Sequence, residues 1–188
     1  MNSVSSVVLG VSSGVWMKRV AAVLSGVVLV ALAAQAAIPI PGTPVPVTLQ
    51  VPAVLIVGGL LGARLSAVSM GFYLAVGAMG LPVFAPVGLP GLARLLGPTG
   101  GYLLAFPLAA ALVGFSSARR SMLALSLSLV GGVLIIHASG VAQLTLLGGD
   151  AGVAVQLGSL PFLLGDALKI VFAGLVIWRF APATRAPA

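Results

Sequence analysis

Apolar residues in this chain come in long blocks, not in the three-four spacing of a soluble amphipathic helix or the alternation of a half-buried strand. The first clean block, Val20 to Ile38, is 19 residues long and follows Lys18 and Arg19. About 20 apolar residues cross a bilayer as a helix, so this block predicts a first span. The second, Val51 to Leu81, has 31 residues and is interrupted by one charge, Arg64. As a single helix it would reach ~46 Å against a hydrocarbon core of about 30 Å. It therefore predicts two shorter helices, folded back near Gly62, Ala63 and Arg64. A run from Thr99 to Phe115, kinked at Pro107, predicts the fourth span, and Ser121 to Leu144 the fifth. A sixth opens at Pro161, a residue suited to a first helical turn, and runs to Trp178-Arg179. The expected organisation is a single all-α membrane domain over 1–188, with a six-helix bundle at 17–180. Residues 1–16 are serine-laced and read as a tail or short interfacial segment; 181–188 read as a disordered tail.

Between the blocks lie three segments expected to be irregular loops, at 38–50, 80–101 and 145–159. The first, IPIPGTPVPVTLQ, holds four prolines in 13 residues and cannot be helical. It should be extended, with a turn at Pro41-Gly42. Loops between spans usually carry charges or serines, and this strap has no charge. Irregular backbone near a bilayer is tolerated where it is buried in protein or lines a cavity. Two readings follow: a rigid outer turn, or one wall of a small-molecule site whose polar groups are Thr43, Thr48 and Gln50.

Composition then settles the class. The chain is 60% hydrophobic and 6% charged, against about 25% charged in a soluble domain. It cannot present enough polar surface to water and reads as an integral, multi-pass membrane protein. The net charge of +7 would suggest nucleic acid in a soluble protein, but here the basic residues sit at the ends of apolar runs and act as topology signals. With both termini cytoplasmic, the inner side holds Lys18, Arg19, Arg64, Arg119, Arg120, Arg179 and Arg185, seven of the nine basic residues. Only Arg94 falls in an outer loop, and all three irregular segments face outward, which points to a binding site on that face. A rival reading takes Lys18-Arg19, the first apolar run and Ala34-Gln35-Ala36 as a signal peptide with its cleavage site. That would separate the strap from the helix that anchors it.

Few residues could carry chemistry. There is no cysteine, and one histidine with two aspartates cannot assemble a metal cluster or a defensible Ser-His-Asp order. No catalytic residue, metal ligand or cofactor site is assigned, and the glycine-rich GPTGGY at 97–102 is not a phosphate-binding signature. Asp166 and Lys169 are the ionisable residues well inside a predicted span, three apart on one helix face. Such a pair is either a structural ion pair or the polar end of a substrate pathway. A carboxylate accepting from N–H groups beside an ammonium donating to a carbonyl can bind a polar head group. Arg94 is either a solvated loop arginine or a fork for a substrate carboxylate. Tyr102 offers an apolar body with a polar tip. His137 reads as a hydrogen-bonded packing residue and Asp150 as a solvated loop residue. Small residues four apart, Ala22/Gly26 and Ala21/Ser25, allow close helix approach.

Three stretches in order, IPIPGTPVPVTLQ at 38–50, GPTGGYLLAF at 97–106 and PFLLGDALK at 161–169, resemble the signature segments of the biotin-uptake S components, the BioY family of energy-coupling-factor (ECF) transporters. The resemblance covers roughly 20–180. It implies an S-component-like bundle that binds biotin from outside and delivers it across the cytoplasmic membrane. The implied partners are a transmembrane coupling subunit and a pair of ATP-binding cassette ATPases, which alone would use ATP. The implied contacts to biotin are Thr43, Val47, Gln50, Arg94, Tyr102, Asp166 and Lys169, with Asp166 and Lys169 on the ureido ring. A small-residue stripe at Ala22 and Gly26 would dock the coupling subunit. Transport without that module, as a homo-oligomer for instance, stays open, as do an S component for another vitamin and a membrane enzyme or structural protein.

Overall fold

The computed structural model describes residues 3–119 and 121–181, with side chains from residue 14. Its helices are α1 (Ser3–Gln35), α2 (Gln50–Leu61), α3 (Ala63–Ala78), α4 (Leu92–Leu96), α5 (Gly100–Leu104), α6 (Phe106–Ser117), α7 (Met122–Gly148), α8 (Ala151–Gly158) and α9 (Leu163–Phe180). One 3-10 turn, Leu160–Phe162, leads into α9. Among the described residues, four stretches are long and apolar enough to cross a membrane: Gly14–Gln35, Gly100–Ser117, Met122–Gly148 and Ala151–Phe180. The helices Gln50–Leu61 and Ala63–Ala78 are apolar but shorter.

The second apolar block folds back as its length requires: α2 ends at Leu61, α3 starts at Ala63, and Gly62 makes the turn. The fourth block is broken two residues ahead of Pro107, between α5 and α6. Proline has no N–H for the carbonyl four residues back, so the ladder opens on the side preceding it.

The start of the chain and the third loop depart from expectation. α1 begins at Ser3, so the helix runs through residues expected to be a tail or a separate interfacial segment. Positions 182–188, expected to be disordered, lie outside the described residues, as does Arg120. The segment 145–159 is helical rather than irregular. α7 continues to Gly148, Gly149 closes it in the left-handed conformation, and Asp150 caps α8 by accepting from the Val153 N–H at 2.9 Å. Asp150 is thus an N-cap, where an aspartate satisfies an otherwise unpaired donor, and not a plain loop residue.

The strap is extended and pinned at both ends. Ala37–Ile38 (β1) pairs antiparallel with Val47–Thr48 (β2), Ala37 opposite Thr48 and Ile38 opposite Val47. The turn falls at Pro41-Gly42, closed by the Thr43 N–H on the Ile40 carbonyl. Gly42 has φ +86°, which an L side chain resists and glycine adopts freely.

Two apolar clusters fill the bundle. One, with Tyr73, Phe84, Tyr102, Phe106 and Phe162, lies under the strap and the 80–99 loop. The other, with Leu55, Val113, Leu129 and Ile177, lies towards the opposite ends of α2, α6, α7 and α9. Large side chains such as Leu32, Leu134, Leu164 and Phe172 stand exposed on the outside. Exposed apolar surface of that extent belongs against lipid.

Candidate functional site

A cavity partly open to solvent, about 630 Å³ with its open mouth included, sits above the first cluster. Its roof is the strap, through Val45, Pro46 and Thr48, and its sides come from the 80–99 loop and from α2, α5, α7 and α9. The walls are mostly apolar, with Phe84, Phe106, Ile136 and Phe162 prominent.

Asp166 stands in the first turn of α9, where the helix dipole favours negative charge. It is buried, and each carboxylate oxygen has a partner. Lys169 Nζ donates to Oδ1 at 2.8 Å, and His137 Nε2 lies 2.6 Å from Oδ2. His137 comes from α7, with the Tyr102 ring edge-on at 6.1 Å and the Phe162 ring tilted at 6.3 Å. Its Nδ1 is buried with no partner among the described residues.

Arg94 lies in the last turn of the short helix α4 and is buried rather than solvated, 6% exposed. Its guanidinium reaches back to the Val87 and Ala85 carbonyls, the latter at 2.6 Å. Its Nε is buried with no partner among the described residues, an uncompensated donor at the cavity wall. Burial lowers the Arg94 pKa from its ordinary value, and Coulombic coupling to Tyr73 opposes the shift. An arginine stays charged at neutral pH all the same.

Gln50 opens α2 inside the cavity and its amide is fixed from both sides. Thr48 Oγ1 donates to Oε1 at 3.1 Å, and Nε2 donates to the Tyr73 hydroxyl at 2.6 Å. The Tyr73 hydroxyl donates in turn to the Val83 carbonyl at 3.0 Å, which ties the chamber floor to the 80–99 loop. Tyr102 lines the cavity with its ring, while its hydroxyl is committed to the Gly158 carbonyl at 2.6 Å. The glycines before it let the backbone come close: a Cβ on Gly101 would meet the Ser139 carbonyl of α7.

The fold thus brings Gln50, Arg94, Tyr102, Asp166 and Lys169 to one cavity. Thr43 and Val47 are not among its lining residues. Thr43 Oγ1 instead donates to the Leu157 carbonyl at 2.6 Å and braces the strap against α8. Val47 packs against the aromatic cluster. Of the helix-one stripe, Gly26 faces inward, because a Cβ there would meet Ser69 Oγ on α3 and Val57 on α2. Ala22 is half-buried, and Ala21 and Ser25 are exposed on the outer face. His137, read as a packing residue, is a wall of the cavity and the second partner of Asp166. It lies 29 positions from Asp166 in sequence, so no local spacing links the two.

An all-helical bundle with a lipid-facing apolar exterior and one polar-ended internal chamber defines a multi-pass membrane protein of the ligand-carrying kind. The sequence profile of the BioY family matches residues 3–186, and the chain belongs to that family. It is 38% identical over 156 residues to the biotin transporter BioY of Thermotoga maritima, covering 82% of this chain and 92% of that one. It is 38% identical over 162 residues to the probable biotin transporter BioY of Pyrococcus horikoshii, covering 86% and 95%. In structure it superposes on the S-component for biotin from an ECF-type ABC transporter, a crystal structure at 2.1 Å, with a TM-score of 0.80. That match is 26% identical and covers 88% of this chain and 92% of the other. These are transport proteins, and the chain is a transport subunit rather than an enzyme.

Proposed function

We propose that this chain is the biotin-binding S component of an ECF transporter, taking biotin from the outer face of the cytoplasmic membrane. The observation that carries the reading is the chamber: a carboxylate–ammonium pair at Asp166 and Lys169, a buried arginine with a spare donor, and apolar walls between. Biotin has the complementary order of parts. Its ureido ring offers two N–H groups and a carbonyl, its thioether ring and alkyl chain are apolar, and its tail ends in a carboxylate. In this reading Asp166 accepts from the ureido N–H groups, Lys169 donates to the ureido oxygen, and Arg94 holds the carboxylate. Gln50 supplies a further amide, Tyr102 packs on the apolar part, and Thr43 and Val47 serve the strap as brace and packing.

In this reading α1, α2, α3, α5–α6, α7 and α8–α9 are six spans, with both termini in the cytoplasm. The basic residues at the turn between α2 and α3 and after α6 support this orientation. Energy comes from partners: a transmembrane coupling subunit and two ATP-binding cassette ATPases, with ATP used by them alone. Helix α1 is the docking element, and because Gly26 is turned inward, the outward stripe through Ala21 and Ser25 is the contact.

The test is a binding titration of the purified chain with biotin and with thiamine, riboflavin and folate in parallel. Tight saturable binding of biotin alone is expected. Equal or better binding of another vitamin would replace the ligand, and binding of none would remove the transport reading.

A further inference from the structure

We propose that His137 is a positioning residue for ligand recognition: as a neutral Nε2–H donor it holds the Asp166 carboxylate, and its protonation weakens ligand binding. The inference rests on the chamber being the biotin site. At 2.6 Å from Oδ2, a bare Nε2 would set lone pair against lone pair, so Nε2 carries the proton. Nδ1 is buried with no partner among the described residues. A second proton there would leave a charged donor unsatisfied, a larger penalty than a bare acceptor. The arrangement therefore fits the neutral tautomer.

The charges facing the imidazole support the same assignment. Among the described residues they are Asp166 and Lys169 on α9 and, across the cavity, Arg94 on α4; Tyr102 on α5 is uncharged and its hydroxyl is committed to Gly158. With His137 neutral, one anion and two cations leave the chamber at +1, which matches a ligand with one carboxylate and an uncharged polar ring. An imidazolium would raise the chamber to +2 and place Asp166 between two cations. Its oxygens would then accept less readily from a ligand N–H. Lys169 holds Oδ1 and His137 holds Oδ2, so each fixes one end of the carboxylate and directs the remaining lone pairs.

Histidine is the side chain whose ordinary titration falls between about pH 5 and 8. Biotin affinity of the intact protein should fall as the pH is lowered from 8 to 5.5, with protons released on binding at the acid end, read as a buffer-dependent heat. His137→Gln keeps a donor for Asp166 without a titrating group. It should bind more tightly than His137→Leu at pH 8 and lose both the acid limb and the proton release. His137→Leu should bind about tenfold more weakly at pH 8, as loss of a hydrogen bond to a charged group implies. An unchanged pH profile in His137→Gln would overturn the proposal, whatever the thermal midpoints. The chain has a single histidine, so a 15N-histidine spectrum of protein without biotin, purified on a histidine-free tag, has one imidazole to assign. The neutral Nε2–H pattern at pH 8 is expected; an Nδ1–H tautomer would overturn the assignment even if biotin proved to be the wrong ligand.

Discussion

Asp166 and Lys169 form an ion pair that could serve the ligand or only the scaffold, and substitution separates the two roles. Removing one partner of a buried pair typically costs about 3–5 kcal/mol, because the other charge is left uncompensated. Asp166→Asn and Lys169→Met should therefore each lower the melting midpoint, and the double variant should recover it. Biotin affinity in the double variant should stay ten- to a hundredfold down, since the ureido ring loses its charged partners. Wild-type affinity there would return the pair to a purely structural role. Arg94 calls for a different comparison, because it also braces the Ala85 and Val87 carbonyls. Arg94→Gln will disturb the loop for any ligand. The diagnostic quantity is the ratio of biotin to biotinamide affinity, which should fall about tenfold or more only if the guanidinium meets the carboxylate. A ratio unchanged by the substitution would leave Arg94 as a loop brace.

At the scale of elements, the strap and α8 act together. Four prolines restrict the strap's conformations before it folds, and the β1–β2 pairing and the Thr43–Leu157 bond then fix it over the chamber. A neutral hydrogen bond contributes about 0.5–1.5 kcal/mol. Thr43→Val, which keeps the shape and removes the donor, should speed biotin release about two- to tenfold with little change in melting midpoint. An unchanged dissociation rate would show that the strap does not gate exit. α8 has this role because 145–159 is helical: the Asp150 cap and the Gly149 turn present the Leu157 and Gly158 carbonyls to Thr43 and Tyr102. Gln143 on α7 grips the other rim, donating to the Leu95 carbonyl at 2.9 Å and the Gly97 carbonyl at 2.6 Å.

For the whole molecule, the prediction concerns orientation. The chain has no cysteine, so each introduced thiol reports alone. Arg119 and Ala151 are both exposed, after α6 and at the start of α8. In intact cells an impermeant thiol reagent should label a cysteine at Ala151 and spare one at Arg119; after permeabilisation both should react. Labelling at Arg119 in intact cells would invert the topology. The expected labelling would put Arg64, Arg119 and Arg179 on the inner side and the chamber towards the outer one.

Membrane residence was written in composition, because a chain with 6% charged residues has no water-compatible surface to offer. The fold-back at Gly62 followed from helix length against bilayer thickness, and the extended strap from proline stereochemistry. Asp166 and Lys169 were visible as a pair because three residues of helix bring them to one face. Those are local or bulk properties, and a sequence carries them directly. The helical character of 145–159 was obscured by its glycines, which depress helix propensity although a cap and tertiary packing override them. Only the packing of α7 on α9 joins His137 to Asp166, and only the inward rotation of α1 against α3 buries Gly26. Likewise, Thr43 turns away from the chamber because the Leu157 carbonyl lies within reach, 114 residues further along the chain. Contacts between distant segments depend on how helices rotate and approach one another, and that is decided by the sum of the packing rather than by any stretch of residues.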